Sequence, residues 1–520
     1  MARHLFAPKG AAIALALASA VFVLPAAQAA GAAASERVRV SVAFKPGAAA
    51  LMRAAIANAG GRVVTELEEV NAVSIDLPRR ALAALQKSPY ALFVEEEPMR
   101  YAFAASRRAR PAAGGTQVTP YGISMVQADQ VSDSATGNRT LCIVDSGIDG
   151  AHEDHQGNIL DGTNLSGSGE WNTDEAHHGT HVAGTIAAVD NTIGVIGVNP
   201  NKHLNIYIAK VFDASGSASS STIAKGMLAC RKAGANIVSM SLGGSSASKL
   251  EQLVVSFLAK RGMLLIAAAG NAGDTTISYP AGFAEVMSVA AVDENMAHAS
   301  FSQSNADVEI SGPGVHVLST VPMGTGLDTA LTVGGTAYQA NPTDGPAGPA
   351  SAPLYDFGTG EVDDPGVAGK MCLIARGNIS FGDKVTRCEA NGGVGAIIYN
   401  NVSGNLSATL GGAAVTIPSA TVSLEDGTVM LGQLGQTAAL ALTPSNYAYF
   451  DGTSMATPHV SAVAALVWSR HPGCSAAEIR SSLTKSALPL GSGVPNNDFG
   501  YGLVQAKTAD DRITSMGCGN

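Results

Sequence analysis

From Thr140 to Ala268, short apolar runs alternate with longer amphipathic stretches. Strand-like segments at Leu141–Val144, Ile206–Val211, Ile237–Leu242 and Leu264–Ala268 are separated by helix-like segments that follow His178 and cover 222–233 and 248–261. Runs this continuously apolar do not suit a sheet with one face in water; both faces must be covered. Consecutive strands separated by a helix need a crossover connection, and crossovers join parallel strands. The expected core is therefore an α/β, doubly wound parallel sheet.

In such sheets functional groups gather at the carboxyl ends of the strands. Val144-Asp145-Ser146-Gly147 closes one apolar strand, His178-Gly179-Thr180-His181-Val182-Ala183-Gly184-Thr185 opens a helix of small residues, and Gly452-Thr453-Ser454-Met455-Ala456-Thr457-Pro458-His459 opens another. A serine hydroxyl is a poor nucleophile until an adjacent base takes its proton, and that base must be oriented by a carboxylate. Peptide N–H groups at the start of the Ser454 helix favour an anion there. Taken singly, each motif has a plainer reading. Asp145 could be a turn residue, Gly-Thr-Ser a loop, and His178 with His181 a metal pair three residues apart on a helix.

The flanking sequence has other textures. Residues 36–105 run strand (Val38–Phe44), helix (Ala48–Ala59, stopped by Gly60-Gly61), strand-like sequence (Arg62–Leu77), short helix (Arg79–Gln86) and strand (Ala91–Glu95), which predicts a compact α+β unit. Residues 106–115 are basic and rich in small residues, the chemistry of an exposed linker where proteolysis concentrates. Between 323 and 446 glycine, threonine and alanine dominate around Met371–Ala375, a helix-like Phe381–Asn391 and Val394–Tyr399, which reads as a β-rich insertion. A chain of 520 residues has room for about three such units.

The first 29 residues read as a signal peptide: Arg3 and Lys9, the apolar run Ala11–Leu24, then Ala27-Gln28-Ala29 as a small-residue cleavage site. The alternative is an uncleaved anchor helix. No later segment approaches ~20 uninterrupted apolar residues, so no membrane span is expected in the mature form. A net charge of -10 argues against a broad nucleic-acid-binding face. Six cysteines in an exported chain favour disulfides. Proximity suggests Cys372 with Cys388, and Cys474 with Cys518 would pin the C-terminal tail. That leaves Cys142 with Cys230, although the apolar strand around Cys142 also suits a buried free thiol.

Together, and in the order Asp, His, Ser, the three motifs resemble the subtilisin-like serine proteases (subtilases), over about 116–322 plus 447–510. The resemblance implies a secreted serine endopeptidase, extracellular or in the cell envelope, with Asp145, His178 and Ser454 as catalytic triad. Asn271, in Ala268-Ala269-Gly270-Asn271, matches the oxyanion donor, beside the Ser454 N–H. Ser241-Leu242-Gly243-Gly244 matches the substrate-binding strand, Ala268, Ala269 and Gly270 the opposite pocket wall, and Ser278 the pocket base. With no carboxylate at that base, an apolar or aromatic residue before the cut is expected, and lysine or arginine there should be poor. The resemblance also implies one structural Ca2+, held by side chains of Gln117, Asp154 and Asn191 and carbonyls of Val189, Ile193 and Val195, an all-oxygen set.

Residues 36–105 resemble the family's propeptide, an intramolecular chaperone and inhibitor. Aligning Gln117-Val118-Thr119-Pro120-Tyr121-Gly122 with the mature start puts self-cleavage near Gly115–Thr116, or earlier in 103–115 followed by trimming. Residues 323–446 resemble the protease-associated (PA) domain through Lys370-Met371-Cys372-Leu373-Ile374-Ala375-Arg376-Gly377 and Gly395-Ala396-Ile397-Ile398-Tyr399-Asn400. Residues 511–520 are left as a tail. A monomer acting on proteins and peptides is expected. The rival readings are a non-catalytic secreted binding protein on the same scaffold, and an esterase or peptide ligase using the same triad.

Overall fold

The computed structural model describes residues 36–102, 117–404, 406 and 408–520, together with the backbone of 107–108 and 110–111. The expected signal peptide and the expected Gly115–Thr116 cut lie outside the described residues.

The N-terminal unit is a four-stranded antiparallel sheet of β1 (Arg37–Phe44), β2 (Arg62–Leu67), β3 (Ala72–Pro78) and β4 (Ala91–Glu96), in the order β2-β3-β1-β4. Two helices, α1 (Ala49–Asn58) and α2 (Leu82–Gln86), accompany it, and Val40, Val42, Met52, Ile56, Ile75 and Leu77 form its core. The Arg62–Leu77 stretch is thus two strands rather than one. Asn71, with φ 50°, turns the chain between them. One more strand, β5 (Met99–Ala102), leaves this unit altogether and pairs elsewhere.

The central sheet has seven parallel strands. They are β6 (Thr140–Asp145), β7 (Ile159–Asn164), β8 (Asn205–Lys210), β10 (Ile237–Met240), β12 (Leu264–Ala268), β13 (Val286–Val292) and β14 (Val308–Pro313), in the order β14-β13-β12-β10-β6-β8-β7. Two short strands, β9 (Ser217–Ser219) and β11 (Leu242–Gly243), stand outside it. Three strands of the sheet, β7, β13 and β14, extend it beyond the four read from the sequence. Helix α3 (His178–Ala187) packs one face together with α6 (Thr453–Arg470), and α4 (Ser220–Lys232) with α5 (Lys249–Ala259) cover the other. Ile143, Ile208 and Ile266 point into the first layer, and Cys142, Val144 and Leu265 into the second. The period-two alternation of the strands therefore feeds two cores, which is why the runs are apolar throughout.

The insertion holds a separate β-rich body whose own core includes Leu331, Leu354, Leu373, Ile397 and Leu440. The expected Met371–Ala375 strand is present, the helix expected over Phe381–Asn391 spans Phe381–Ala390, and the strand expected from Val394 begins at Gly395. Val317–Thr320 and Tyr447–Phe450 pair antiparallel at its base, so the insertion leaves and rejoins the catalytic core through adjacent strands. Disulfides join Cys142 to Cys230, Cys372 to Cys388 and Cys474 to Cys518. The Cys142 thiol is accordingly paired, with a Cα–Cα distance of 5.5 Å to Cys230. A helix at Ala506–Met516 runs across the boundary expected at 510/511 and buries Ile513, so residues 511–516 continue a packed element.

Candidate active site

Strand β6 ends at Asp145, and the loop after it meets the first turn of α3. His178 Nδ1 lies 2.8 Å from Asp145 Oδ1. A carboxylate can only accept, so Nδ1 carries the proton. Ser146 ties the two motifs together: its hydroxyl donates to Asp174 Oδ1 at 2.7 Å and accepts from Gly179 N at 2.9 Å. Asp174 also accepts from the N–H groups of His177 and Thr180, both at 2.8 Å, and from the Thr180 hydroxyl. It thereby satisfies the open end of α3 and fixes where His178 starts. The glycine of the His-Gly-Thr motif has a packing reason. A Cβ on Gly179 would lie 2.1 Å from the Gly147 carbonyl oxygen, so only glycine lets the helix approach the Asp145 loop this closely.

Ser454 sits in the first turn of α6, fully buried, with its hydroxyl donating to the Ser241 carbonyl at 3.0 Å. The helix contains Pro458, which has no N–H to offer the Ser454 carbonyl one turn back. The Ser241 hydroxyl replaces it, donating to Ser454 O at 2.8 Å. This reciprocal pair holds the Ser454 turn against the start of β11. Asn271 is locked too: its Oδ1 accepts from Thr453 N at 2.9 Å and Thr453 Oγ1 at 2.7 Å. With the oxygen end so engaged, the amide assignment follows, and the NH2 group stands at the opposite side.

His181 is not the partner of His178 in a metal pair. Its Nε2 faces the carbonyls of Val317 and Ala448, at 3.0 and 3.2 Å, and its ring stacks on Phe450. Burial lowers its pKa to about 3, so it is neutral. His459, also buried and lowered to about 4, bonds the Met455 carbonyl.

The residues matched to the substrate pocket lie on neighbouring segments. Gly244 exchanges two backbone hydrogen bonds with Tyr279, at 3.0 and 2.8 Å, which sets Ser278 next to the Ser241–Gly244 strand. Ser278 is buried and its hydroxyl has no partner among the described residues. Ala268 ends β12, and Ala269 and Gly270 follow it; Gly270 N donates to Thr453 Oγ1 at 3.2 Å.

The candidate calcium ligands also converge. Gln117 Nε2 donates to Val189 O at 2.8 Å, Val195 O at 3.3 Å and Asn191 Oδ1 at 3.4 Å. Asp154 Oδ1 accepts from Asn191 Nδ2 and Oδ2 from Val195 N, each at 2.9 Å. Ile193 lies in the same loop, its N–H on Asn191 Oδ1 at 3.1 Å. One amide nitrogen faces three oxygens that a cation of the hard, oxygen-seeking kind would draw together, and a buried carboxylate lies beside them. Gly194 is required here: at φ 58° a Cβ would meet Tyr447 Oη at 2.0 Å and Asp154 Oδ2 at 2.2 Å. Ser146, Asp174 and Thr453 are functional neighbours that motif reading passed over. Ser146 and Thr453 stand inside the quoted motifs, whereas nothing local marks Asp174.

A buried Asp–His pair at the start of a helix that packs against the serine-bearing helix, on a doubly wound parallel sheet, fits a serine hydrolase of the α/β class. A model of the subtilase family matches residues 137–348 and 418–502, more than half of the chain, and a PA domain model matches 334–430. The chain belongs to the subtilase family and is a serine endopeptidase. Subtilisin amylosacchariticus from Bacillus subtilis subsp. amylosacchariticus is 37% identical over 311 residues, covering 58% of this chain and 77% of the relative. An alkaline protease from Alkalihalobacillus alcalophilus is 38% identical over 290 residues, covering 54% and 72%. Among solved structures, the psychrophilic subtilisin-like protease Apa1 of the Antarctic psychrotroph Pseudoalteromonas sp. AS-11 is 41% identical with a TM-score of 0.62, over 77% of this chain and 99% of that one. Fervidolysin from Fervidobacterium pennivorans shares the fold, at 21% identity and a TM-score of 0.59, over 92% of this chain and 61% of that one.

Proposed function

We propose that this chain is the precursor of a secreted endopeptidase that matures itself and cleaves proteins after apolar or aromatic residues. The observation that carries the catalytic assignment is the 2.8 Å Asp145–His178 contact, beside a helix that buries Ser454 at its first turn. In this reading His178 accepts the Ser454 proton at Nε2, with Nδ1–H held by Asp145, and later returns it to the leaving amine. Ser241 O is the resting acceptor of the hydroxyl. The oxyanion is held by the Asn271 amide and the Ser454 N–H. The buried Ser278 hydroxyl, with no carboxylate in its place, supports an uncharged side chain in the pocket.

Self-maturation rests on β5. It is the middle strand of a three-stranded antiparallel sheet, with Ala102 and Tyr101 opposite Leu242 and Gly243 of β11, and Tyr101, Arg100 and Met99 opposite Ser217, Ala218 and Ser219 of β9. A peptide added to an enzyme's edge strand in this way is bound as a substrate is bound. Continued by one residue, the same register sets the next position of a bound peptide opposite Ser241, beside Ser454. In this sequence that residue is Phe103, so the first cut falls at Phe103–Ala104 and 104–115 is trimmed afterwards. The N-terminal unit also carries acceptors for two helix starts: Glu95 Oε1 accepts from Ser248 Oγ and Leu250 N, and Glu97 Oε2 from Ser221 Oγ. These contacts suit a folding template and inhibitor.

Calcium is structural in this reading, held by Gln117, Asp154, Asn191 and the carbonyls of Val189, Ile193 and Val195. It supplies charge to a loop that packs against α3 and takes no part in the chemistry. The test is Ser454→Ala. The secreted variant should accumulate as the uncleaved precursor and fail to react with a fluorophosphonate probe, while the wild type is labelled and releases an N-terminal fragment that ends, by mass spectrometry, at Phe103. Efficient maturation of the variant would refute the mechanism, and an unlabelled wild type would favour the binding-protein reading.

A further inference from the structure

Arg100 on β5 and Glu251 in the first turn of α5 are both fully buried, 151 residues apart in sequence, and face each other. Arg100 Nε donates to Glu251 Oε1 at 3.0 Å and Oε2 at 3.1 Å, and Nη2 also pairs with Oε2. Nη2 reaches the Ser246 carbonyl at 2.9 Å, and Nη1 bonds the strand's own Met99 carbonyl at 3.0 Å. The guanidinium is thus met by a carboxylate and a backbone oxygen, both from the catalytic domain. Such a two-acceptor cradle is matched by a planar five-donor group and poorly by anything neutral.

The plain reading of Glu251 is a helix cap. It stands three residues after Ser248 at the start of α5, the spacing of a capping box, and its N–H does bond Ser248 Oγ at 3.3 Å. Its carboxylate, however, turns to Arg100. Burial pushes the Glu251 carboxyl up to about 7 even with Arg100 drawing it down, so the charged form depends on a cationic partner at this place.

Since β5 lies where the preceding section seats a substrate strand, we propose that Glu251 is a specificity residue. It selects an arginine side chain in the peptide substrate, at the position three residues before the one whose carbonyl is attacked. This rests on the reading of β5 as a substrate-like strand. In the chain's own sequence the four residues before the first cut are then Arg100-Tyr101-Ala102-Phe103, a basic residue and an aromatic one at the two ends of the recognised segment.

The self-processed enzyme is assayed with acetyl-Arg-Ala-Ala-Phe-p-nitroanilide and the same peptide carrying citrulline or norleucine in place of arginine. Citrulline keeps the shape and removes the charge. The arginine peptide should be favoured over citrulline in kcat/KM by about 10–100-fold, the span expected when a charge-assisted hydrogen-bond pair is lost. Glu251→Gln should collapse that ratio to near one. Equal turnover of arginine and citrulline peptides by the wild type would overturn the proposal and leave the Arg100–Glu251 pair as a tether for the N-terminal unit alone. A ratio unchanged in Glu251→Gln would overturn it as well. If that variant does not fold, the wild-type series decides by itself. Failure to cleave any of the peptides would instead strike at the substrate-strand reading, and the proposal would fall with it.

Discussion

Asn271 is held by its oxygen, twice, from Thr453. Its amide NH2 is thereby preorganised without any change at the moment of reaction, which is what makes such a donor effective. Asn271→Leu should lower kcat ~10²–10³-fold, the range known for the corresponding donor in subtilisin, with KM little altered. Stopped-flow or steady-state turnover of one peptide checks this. Three buried histidines make a second residue-scale prediction. Burial lowers His155 and His181 to about 3 and His459 to about 4, whereas all three titrate near 6.5 in the unfolded chain. Below about pH 6.5 the unfolded state therefore binds more protons than the native state, and stability falls with acidification from there towards pH 3–4. Each site should cost on the order of 2 kcal/mol between pH 7 and pH 5. Urea unfolding of Ser454→Ala at the two pH values, which avoids self-digestion, measures the sum. Constant stability across that interval would contradict it.

The elements do more than carry these residues. Helix α3 is positioned from outside itself, by Asp174 at its start and by the Asp154–Asn191–Gln117 loop near its end. If a calcium ion completes that loop, excess chelator should lower the thermal midpoint by several degrees and calcium should restore it; an unchanged midpoint would remove the ion from the account. Most elements were readable in advance because they obey local rules. Leu264–Ala268 lies within the apolar run Met263–Ala269, bounded by Gly262 and Gly270, and forms the strand expected there. The break within the strand-like stretch Arg62–Leu77 carries no glycine signal, because the left-handed turn position is held by Asn71. Val286–Val292, apolar except for Ser288, continues the same pattern. Strand β5 had no such signal. Four residues of mixed character become a strand only because β9 and β11 flank them.

At the scale of the whole molecule, the catalytic core is one cooperative body, interrupted once. Thr320 and Tyr447 are paired neighbours, so the insertion begins and ends at a single point on the core. A chain in which residues 325–445 are replaced by a short turn should still fold and hydrolyse small peptides within about an order of magnitude of the parent, since loop length costs little entropy. Loss of all peptidase activity and of fluorophosphonate labelling in a core that still unfolds cooperatively would show that the insertion helps to build the site. Among the described residues no helix is long and apolar enough to cross a membrane, and the N-terminal unit stands on the core through helix starts and the β5 sheet.

Most of the strands and helices, the three motifs and the chemistry they permit were determined within short windows of sequence, because periodicity and side-chain reactivity are local properties. Which residues meet across the fold was not. That Asp174 anchors the His178 helix, that Ser241 answers the proline in the Ser454 helix, and that Arg100 is buried against Glu251 each depend on chain segments from 6 to 213 residues apart coming within hydrogen-bond distance. Backbone pairing and packing select those contacts only once the sheet has assembled, and no spacing in the linear sequence encodes them.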